Sequence, residues 1–294
     1  MEPAMVSALF RFHPVAMGSL PHQSARFNEG RPWRLFVAIL SLLAVFCLAG
    51  CKGGEQGQPT LSEARKAFAA GHYSEAERLY EHYIQSRPQG KDRWEAWNRL
   101  LDMALSVRQD PNRATSILDA MYLEFGDQSS KAYELLTKLA EIYENMNQNT
   151  KALETWKKCL SLPVVDPSAA ARIHYRIARN HQSMKAYALA AEELNICIRD
   201  AQSSDLEQRC RYTLAQNQIF MERYDEAEET LSAIMGNPEV DQERRALAAF
   251  LLADVFEDQE RYSEAVSILE SIRLSYPNPR VVDTRLKHLK RVSP

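Results

Sequence analysis

Apolar and small residues recur at helical spacing through the stretch AFAAGHYSEAERLYEHYIQSRP, which runs from Ala67 to Pro88. Within each half of this stretch they lie three or four residues apart, so they share one face of a helix. A Gly-His-Tyr sequence at residues 71–73 separates the two halves, and Pro88 closes the second half. Glycine and proline at such places end helices. The pattern therefore predicts a helical hairpin, two antiparallel helices joined by a short turn.

This hairpin pattern returns five times along the chain. The clear copies are NMNQNTKALETWKKCLSLP, SMKAYALAAEELNICI, FMERYDEAEETLSAIMGNP and DQERYSEAVSILESIRLSYP, and RQDPNRATSILDAMYLEF is a degenerate one. Alignment on the alanine after each turn gives Ala76, Ala114, Ala152, Ala190, Ala227 and Ala265, at intervals of 38, 38, 38, 37 and 38 residues. So regular a period is typical of a solenoid, in which each hairpin buries its apolar face against its neighbours.

The hairpins resemble tetratricopeptide repeats. That family has a small residue within the first helix, Gly-x-Tyr at the turn, alanine and then an aromatic residue in the second helix, and a closing proline. The matching residues are Ala64, Gly71, Tyr73, Ala76, Tyr80 and Pro88 in the first copy and Ala253, Tyr262, Ala265 and Pro277 in the last. The resemblance implies an all-α, right-handed α-solenoid of about six hairpins over residues 60–278. The second copy departs from the pattern at Pro111, and the period exceeds the family's 34 residues.

A last helical pattern follows the solenoid. In PNPRVVDTRLKHLKR, Val281, Val282, Leu286 and Leu289 form one apolar stripe, and five basic residues lie elsewhere. We expect residues 279–294 to form a capping helix and tail that cover the last hairpin. The alternative is a basic helix that contacts anionic lipid or an acidic partner.

The N-terminal region contains an apolar run that is too short to cross a membrane. Fourteen uncharged residues from Leu35 to Leu48 follow Arg31 and Arg34. A membrane-spanning helix needs about 20 apolar residues, whereas the apolar core of a signal peptide has roughly 7–15. We therefore interpret residues 1–50 as a signal peptide. Residues 1–16 match no targeting pattern, so we expect the true start to be Met17.

The end of this run, Leu48-Ala49-Gly50-Cys51, resembles the lipobox of bacterial lipoproteins. The resemblance implies that residues 1–50 are removed and that Cys51 is acylated, which anchors the protein stably to the membrane. Lys52 in place of aspartate implies sorting to the periplasmic face of the outer membrane. Residues 51–59 then form the lipidated cysteine and a flexible tether. The alternative is an ordinary signal peptide in which Cys51 is incidental.

Composition and motifs argue against several function classes. The net charge of −3 lacks the strongly basic balance of a nucleic-acid-binding protein. The sequence contains no HExxH, CxxC, GxSxG, Walker or dinucleotide motif. His174 and His181 lie two helical turns apart, too far to bind one metal without other ligands. We therefore predict a protein that is not an enzyme and has neither a metal nor another cofactor.

Three cysteines lie in the solenoid. Cys159 and Cys197 are 38 residues apart and so occupy the same repeat position, where small buried residues are expected. Cys197 and Cys210 lie at equal distances from the connecting Ser203 and Ser204, so an antiparallel arrangement places them level. In an oxidising envelope compartment this pair would form a disulfide. The alternative is that all three are buried free thiols.

The family resemblance also implies a binding groove lined by the first helix of each hairpin. When positions are counted from the aligned alanines, the groove residues are Arg172, Tyr175, Arg176 and Arg179 in the fourth copy and Arg209, Tyr212 and Gln216 in the fifth. Arginine beside tyrosine suits a carboxylate of a bound peptide. Arg172 and Arg176 match basic positions of peptide-clamping relatives, but Met103 and Lys138 replace the asparagines of that clamp. The alternative is a strip of solvated charge.

Together these features predict a lipid-anchored scaffold that binds a protein or peptide partner in the bacterial envelope. The architecture resembles outer-membrane assembly lipoproteins of the BamD type, with an acylated cysteine followed by helical repeats. An adaptor for peptidoglycan enzymes or for a secretion or pilus apparatus is the alternative. A third possibility is a solenoid-bodied cell-wall enzyme resembling a soluble lytic transglycosylase. That enzyme would need a catalytic domain after the solenoid, where only residues 279–294 remain.

Overall fold

The computed structural model describes residues 60–292, which form α-helices, one π-helical turn and no β-strand. The first and second helices of the six hairpins, followed by the last helix, are α1 Leu61–Ala69 and α2 Tyr73–Ser86; α3 Arg93–Asp102 and α4 Pro111–Phe125; α5 Ser129–Asn145 and α6 Asn149–Leu160; α7 Pro167–Ser183 and α8 Tyr187–Asp200; α9 Ser204–Phe220 and α10 Tyr224–Gly236; α11 Gln242–Asp258 and α12 Tyr262–Ile272; and α13 Pro279–Val292. The predicted all-α solenoid is thereby confirmed. The signal peptide, Cys51 and the tether lie outside the described residues.

The aligned alanines mark the tightest contacts between helices. Ala76, Ala114, Ala152, Ala190, Ala227 and Ala265 each have no exposed surface. Each lies near the start of the second helix of its hairpin, where a methyl group lets the two helices approach closely. Helices that follow one another in sequence pack together along the whole described chain. The buried apolar residues of the described chain form four clusters, each built by neighbouring hairpins.

Each turn within a hairpin contains one residue with a positive φ angle. These residues are Gly71, Gln109, Asn147, Lys185, Glu222 and Glu260, with φ between 52° and 76°. In the fourth hairpin the N–H of Lys185 donates to the carbonyl of Gln182, and the N–H of Ala186 donates to that of His181, both over 2.9 Å. This pair of bonds is the Schellman motif that ends a helix. Three residues separate the two helical segments in every hairpin, and this constant spacing contributes to the regular period.

The second hairpin differs from the others at its turn. Residues Met103–Val107 form a π-helical turn after α3, and the N–H of Arg108 donates to the carbonyl of Met103 over 2.9 Å. Pro111 is the first residue of α4, where its missing N–H costs no hydrogen bond, and the side chain of Asp110 caps this helix. The proline that breaks the sequence pattern therefore starts a helix without changing the spacing of the repeat.

The last helix, α13, covers the end of the sixth hairpin. Val282, Leu286 and Leu289 are buried, as the capping interpretation predicts. Val281 is 43% exposed, so its assignment to the apolar stripe is wrong. Val281 precedes the buried Val282 by one residue, so its side chain points about 100° away from the buried face of the helix. No helix within residues 60–292 has the length and apolar character to cross a membrane.

Candidate binding groove

The predicted groove residues lie on two first helices, α7 and α9, and all seven are at least partly accessible. The side chain of Asp166 accepts a hydrogen bond from the N–H of Ala169 over 2.7 Å and so starts α7. Ser203 caps α9 in the same way, by accepting from the N–H of Leu206. From these starting points, residues three or four apart face the same side. Both helices therefore present Arg and Tyr side chains to one surface.

One pocket joins residues of three hairpins on this surface, and we call it the tyrosine pocket. It has a volume of about 190 Å³ and is lined by Tyr175, Gln208, Arg209, Tyr212, Thr213, Ile234, Arg244 and Leu247. The structure thus brings together three of the residues predicted from sequence, Tyr175, Arg209 and Tyr212. Burial raises the pKa of Tyr212 above its ordinary value.

Both arginines at the tyrosine pocket are paired with carboxylates of the protein itself. Nε of Arg209 lies 3.0 Å from Oδ2 of Asp205. Arg244 also pairs with Asp205, and its Nε lies 3.3 Å from Oδ2 of Asp241. The hydrogen bond from Arg244 holds the pKa of Asp205 below its ordinary value. The carboxylate of Asp205 therefore already binds the guanidinium groups of both arginines.

The side chain of Arg176, in the fourth hairpin, contacts residues of the third hairpin. Its Nη2 lies 2.5 Å from Oε2 of Glu144 and 3.6 Å from Oε1 of Glu141, both on α5. Its guanidinium also lies over the ring of Trp156, 5.5 Å from the centroid. Glu144 balances the charge of Arg176. The repeat alignment that placed Arg176 in the groove predicts the face of α7 on which it lies. It does not predict that Glu144 pairs with it.

A second pocket, the polar pocket, shares Tyr175 with the first. It has a volume of about 290 Å³ and is lined by Glu144, Asn145, Asn147, Asn149, Tyr175, Arg176, Arg179, Asn180 and Ser183. Nη1 of Arg179 donates to the hydroxyl of Tyr175 over 3.4 Å. Arg172 is exposed, donates to the hydroxyl of Ser168 over 2.8 Å, and lines neither pocket. The seven predicted residues thus form several neighbouring sites.

Gln216 belongs to a third pocket near the capping helix. This pocket has a volume of about 370 Å³ and is lined by Gln216, Ile219, Phe220, Leu251, Asp254, Glu257, Asp258 and Arg285. Arg285 of α13 pairs with Asp254 and lies 2.5 Å from Oε1 of Glu257. Burial raises the pKa of Asp254 even though Arg285 opposes the shift. Arg285 of the capping helix therefore neutralises part of the negative charge of this pocket.

Sequence reasoning missed Gln208, Arg244 and Arg285. The groove positions came from the repeat alignment, and these three residues are not equivalent to any of them. The signal available in the sequence was that Arg244 follows a helix-capping Asp241 by three residues, which places it in the first turn of α11. Arg285 lies on a helix that has no counterpart in the repeat.

The described residues contain no group of three or more His, Cys, Asp or Glu side chains that is arranged to hold a metal ion. Nδ1 of His174 lies 2.6 Å from Oε2 of Glu193 on the second helix of the same hairpin. His181 is buried, and this burial lowers its pKa. The charge of Glu193 opposes this shift, so both histidines lie near the same carboxylate.

Cys197 of α8 and Cys210 of α9 are joined by a disulfide, with 6.3 Å between their Cα atoms. Cys159 is a buried free thiol. The bridge connects the second helix of hairpin four to the first helix of hairpin five, next to Gln208 and Arg209 of the tyrosine pocket. Oxidation of this pair in the cell remains a prediction.

Comparison with known proteins agrees with this architecture. Residues 133–163 and 212–278 match models of the tetratricopeptide repeat. The chain therefore contains tetratricopeptide repeats, a type of repeat that generally mediates protein–protein interactions. No curated protein matches the sequence.

Several solved structures share the fold at low sequence identity. The apo form of RapI has a TM-score of 0.57 and 12% identity over 79% of this chain and 70% of its own. YrrB, described as a tetratricopeptide repeat protein with an unusual peptide-binding site, has a TM-score of 0.50 and 14% identity over 71% of this chain and 97% of its own. A putative kinesin light chain of Podospora anserina has a TM-score of 0.50 and 17% identity over 64% and 96%.

Proposed function

We propose that this protein is a lipid-anchored scaffold that holds a protein partner in the bacterial cell envelope. The observation that carries the proposal is the tyrosine pocket, where Tyr175, Tyr212 and Arg244 of three successive hairpins surround one cavity. A surface assembled from several repeats suits an extended partner segment, because each repeat adds its own contacts. Tetratricopeptide repeats elsewhere bind protein partners, which supports the same role here.

The envelope location rests on two separate features. The lipobox-like sequence ending at Cys51 argues for an acylated N-terminus and a membrane anchor. The disulfide between Cys197 and Cys210 suits an oxidising compartment, because cytosolic proteins rarely keep such bonds. Lys52 argues further for the outer membrane, facing the periplasm. Within this setting we propose a role in outer-membrane protein assembly, with an adaptor for peptidoglycan enzymes or a secretion or pilus apparatus as the alternative.

Cross-linking in intact cells followed by mass spectrometry of the captured proteins tests this function. The membrane-anchored protein is compared with the Cys51→Ser variant. We expect one partner in stoichiometric amount, and we expect the variant to lose it. Recovery of β-barrel assembly components supports outer-membrane assembly, whereas recovery of wall hydrolases or secretion components supports the adaptor. Absence of any stoichiometric partner contradicts the scaffold proposal.

A charge reversal then tests whether the proposed surface makes the contact. Arg209→Glu places a carboxylate at the tyrosine pocket beside Asp205 and should reduce partner capture by at least fivefold. The matched control is Arg199→Glu, since Arg199 is an exposed arginine on the second helix of hairpin four and, within residues 60–292, is paired with Asp200 alone. Equal capture by both variants, with equal helical content, contradicts the assignment of the surface. Release of fragments from peptidoglycan by the purified protein alone would instead indicate an enzyme.

A further inference from the structure

The tyrosine pocket has the size of a receptor for one large side chain. Its volume of about 190 Å³ lies below the roughly 300–1,000 Å³ of pockets that enclose small-molecule ligands. The rings of Tyr175 and Tyr212 line it together with the aliphatic side chains of Ile234 and Leu247. Aromatic and aliphatic walls of this kind favour an inserted aromatic ring.

The wall of this pocket contains a buried acceptor, the side-chain oxygen of Gln208. Gln208 is only 3% exposed, and no group within residues 60–292 donates a hydrogen bond to its Oε1. The hydroxyl of Thr213, also in the wall, already donates to the carbonyl of Arg209 over 2.9 Å. A buried acceptor without a donor destabilises the free protein. The terminal torsion of glutamine has no strong preference, so this amide can turn its oxygen towards the cavity when a donor enters.

The charges around the pocket disfavour a carboxylate as the occupant. Arg209 and Arg244 both pair with Asp205, so their positive charge is already partly neutralised and attracts a second anion less strongly than two free arginines would. A leucine or phenylalanine side chain would fill the volume but leave Gln208 without a donor. A ring that carries an O–H or N–H group satisfies both the apolar walls and the orphan acceptor.

We propose that the tyrosine pocket binds a tyrosine or tryptophan side chain of the partner segment, with the ring between Tyr175, Tyr212 and Leu247 and its O–H or N–H group donating to Gln208. This inference rests on the proposed function, because it takes the pocket to be part of the partner-binding surface. Tyrosine and tryptophan are also the residues that most often dominate binding free energy at protein interfaces.

Saturation-transfer difference NMR on the full-length protein in mild detergent tests the proposal. The probes are the N-acetyl amides of tyrosine, tryptophan, phenylalanine and leucine. We expect the tyrosine and tryptophan probes to bind about threefold to tenfold more tightly than the phenylalanine probe, the range for one hydrogen bond. Gln208→Leu should remove this difference, so that phenylalanine amide binds at least as tightly as tyrosine amide.

A second variant locates the binding site. Leu247→Trp fills the pocket and should abolish the saturation transfer from every aromatic probe. The matched control is Leu189→Trp, because Leu189 is an exposed leucine on α8 that lines none of the three pockets. This control should bind like the unmodified chain, which also corrects for partition of the probes into micelles.

Three results overturn the inference: equal binding of phenylalanine and tyrosine amides to the unmodified chain, an unchanged ranking in Gln208→Leu, or saturation transfer that survives Leu247→Trp. These outcomes concern only the chemistry of the pocket. Failure of the scaffold proposal would appear separately, as the absence of a cross-linked partner in cells.

Discussion

Nδ2 of Asn180 lies 2.7 Å from Oε1 of Glu144, a hydrogen bond that joins the first helices of hairpins three and four. The same carboxylate oxygen accepts from Nε1 of Trp156 over 2.8 Å, and the other oxygen pairs with Arg176. Glu144, on α5, therefore holds groups from two further helices, α6 and α7. Removal of such a shared acceptor destabilises the folded protein, because its donors are left partly buried without partners.

Glu144→Ala should lower the free energy of unfolding by about 1–3 kcal/mol, the cost of unsatisfied buried donors. Urea unfolding followed by circular dichroism measures this change. Glu141→Ala is the matched control, because Glu141 is half exposed and reaches the same Arg176 only at 3.6 Å. The control should change stability by less than about 0.5 kcal/mol. Equal effects of the two substitutions would contradict a central role for Glu144.

The pair formed by Arg93 and Glu124 should make stability depend on pH. Nε of Arg93 lies 2.5 Å from Oε1 of Glu124, and this hydrogen bond lowers the pKa of Glu124 below its ordinary value of 4.5. A lowered pKa in the folded state stabilises the protein above the ordinary value, and this contribution is lost as pH falls through the folded pKa.

Glu124→Gln should therefore lose stability at neutral pH and show a flatter decline in acid, because the substituted side chain no longer titrates. Unfolding in urea at a series of pH values from 7 down to 3 measures both effects. Glu81→Gln serves as the comparison, since Glu81 forms a more exposed pair with Arg113 on neighbouring helices. A pH profile of Glu124→Gln that parallels the unmodified chain would rule out this linkage.

The bridge between Cys197 and Cys210 encloses a short loop, with a sequence separation of 13. Replacement of both cysteines by alanine should destabilise the protein by about 3 kcal/mol, since the bond restricts the unfolded chain. Mass spectrometry of unreduced peptides from the envelope fraction tests whether the bond exists in cells. Cys159→Ala is the control, because it removes a buried sulfur that is not bridged. Free thiols at 197 and 210 in that fraction would contradict the prediction.

Alanine substitution at two glycines should change the stability of the protein in opposite directions. Gly71 has a φ of +76° and nothing within 4 Å of an added Cβ, so Gly71→Ala should destabilise the first hairpin by about 1 kcal/mol through backbone strain alone. Gly236 also has free space but is the last residue of α10 and has no positive φ. Gly236→Ala should therefore stabilise the protein by roughly 0.5 kcal/mol or less, since the penalty of glycine is largest inside a helix. Thermal unfolding of the two variants measures this contrast. The same sign for both would contradict the turn explanation.

The sequence alone determined the class of fold and the boundaries of the repeat. Helical spacing, the constant interval between aligned alanines and the turn residues are local features, and a hairpin that cannot bury its own face must stack. The departure at Pro111 was also visible in the sequence. The left-handed turn residues were not, because only Gly71 is a glycine whereas Lys185 and Glu222 adopt the same φ without any compositional signal.

Only the tertiary structure decided which polar groups are available on the binding surface. Repeat alignment places Arg176 and Arg209 on one face, but it cannot tell that Glu144 and Asp205 neutralise them, because these contacts depend on side-chain reach. Gln208 became notable only when its oxygen was found buried beside Tyr212. Arg285, outside the repeat, reaches Glu257 through the packing of the last helix. A periodic sequence thus specifies the scaffold, whereas the non-repeating side chains and their neighbours specify the site.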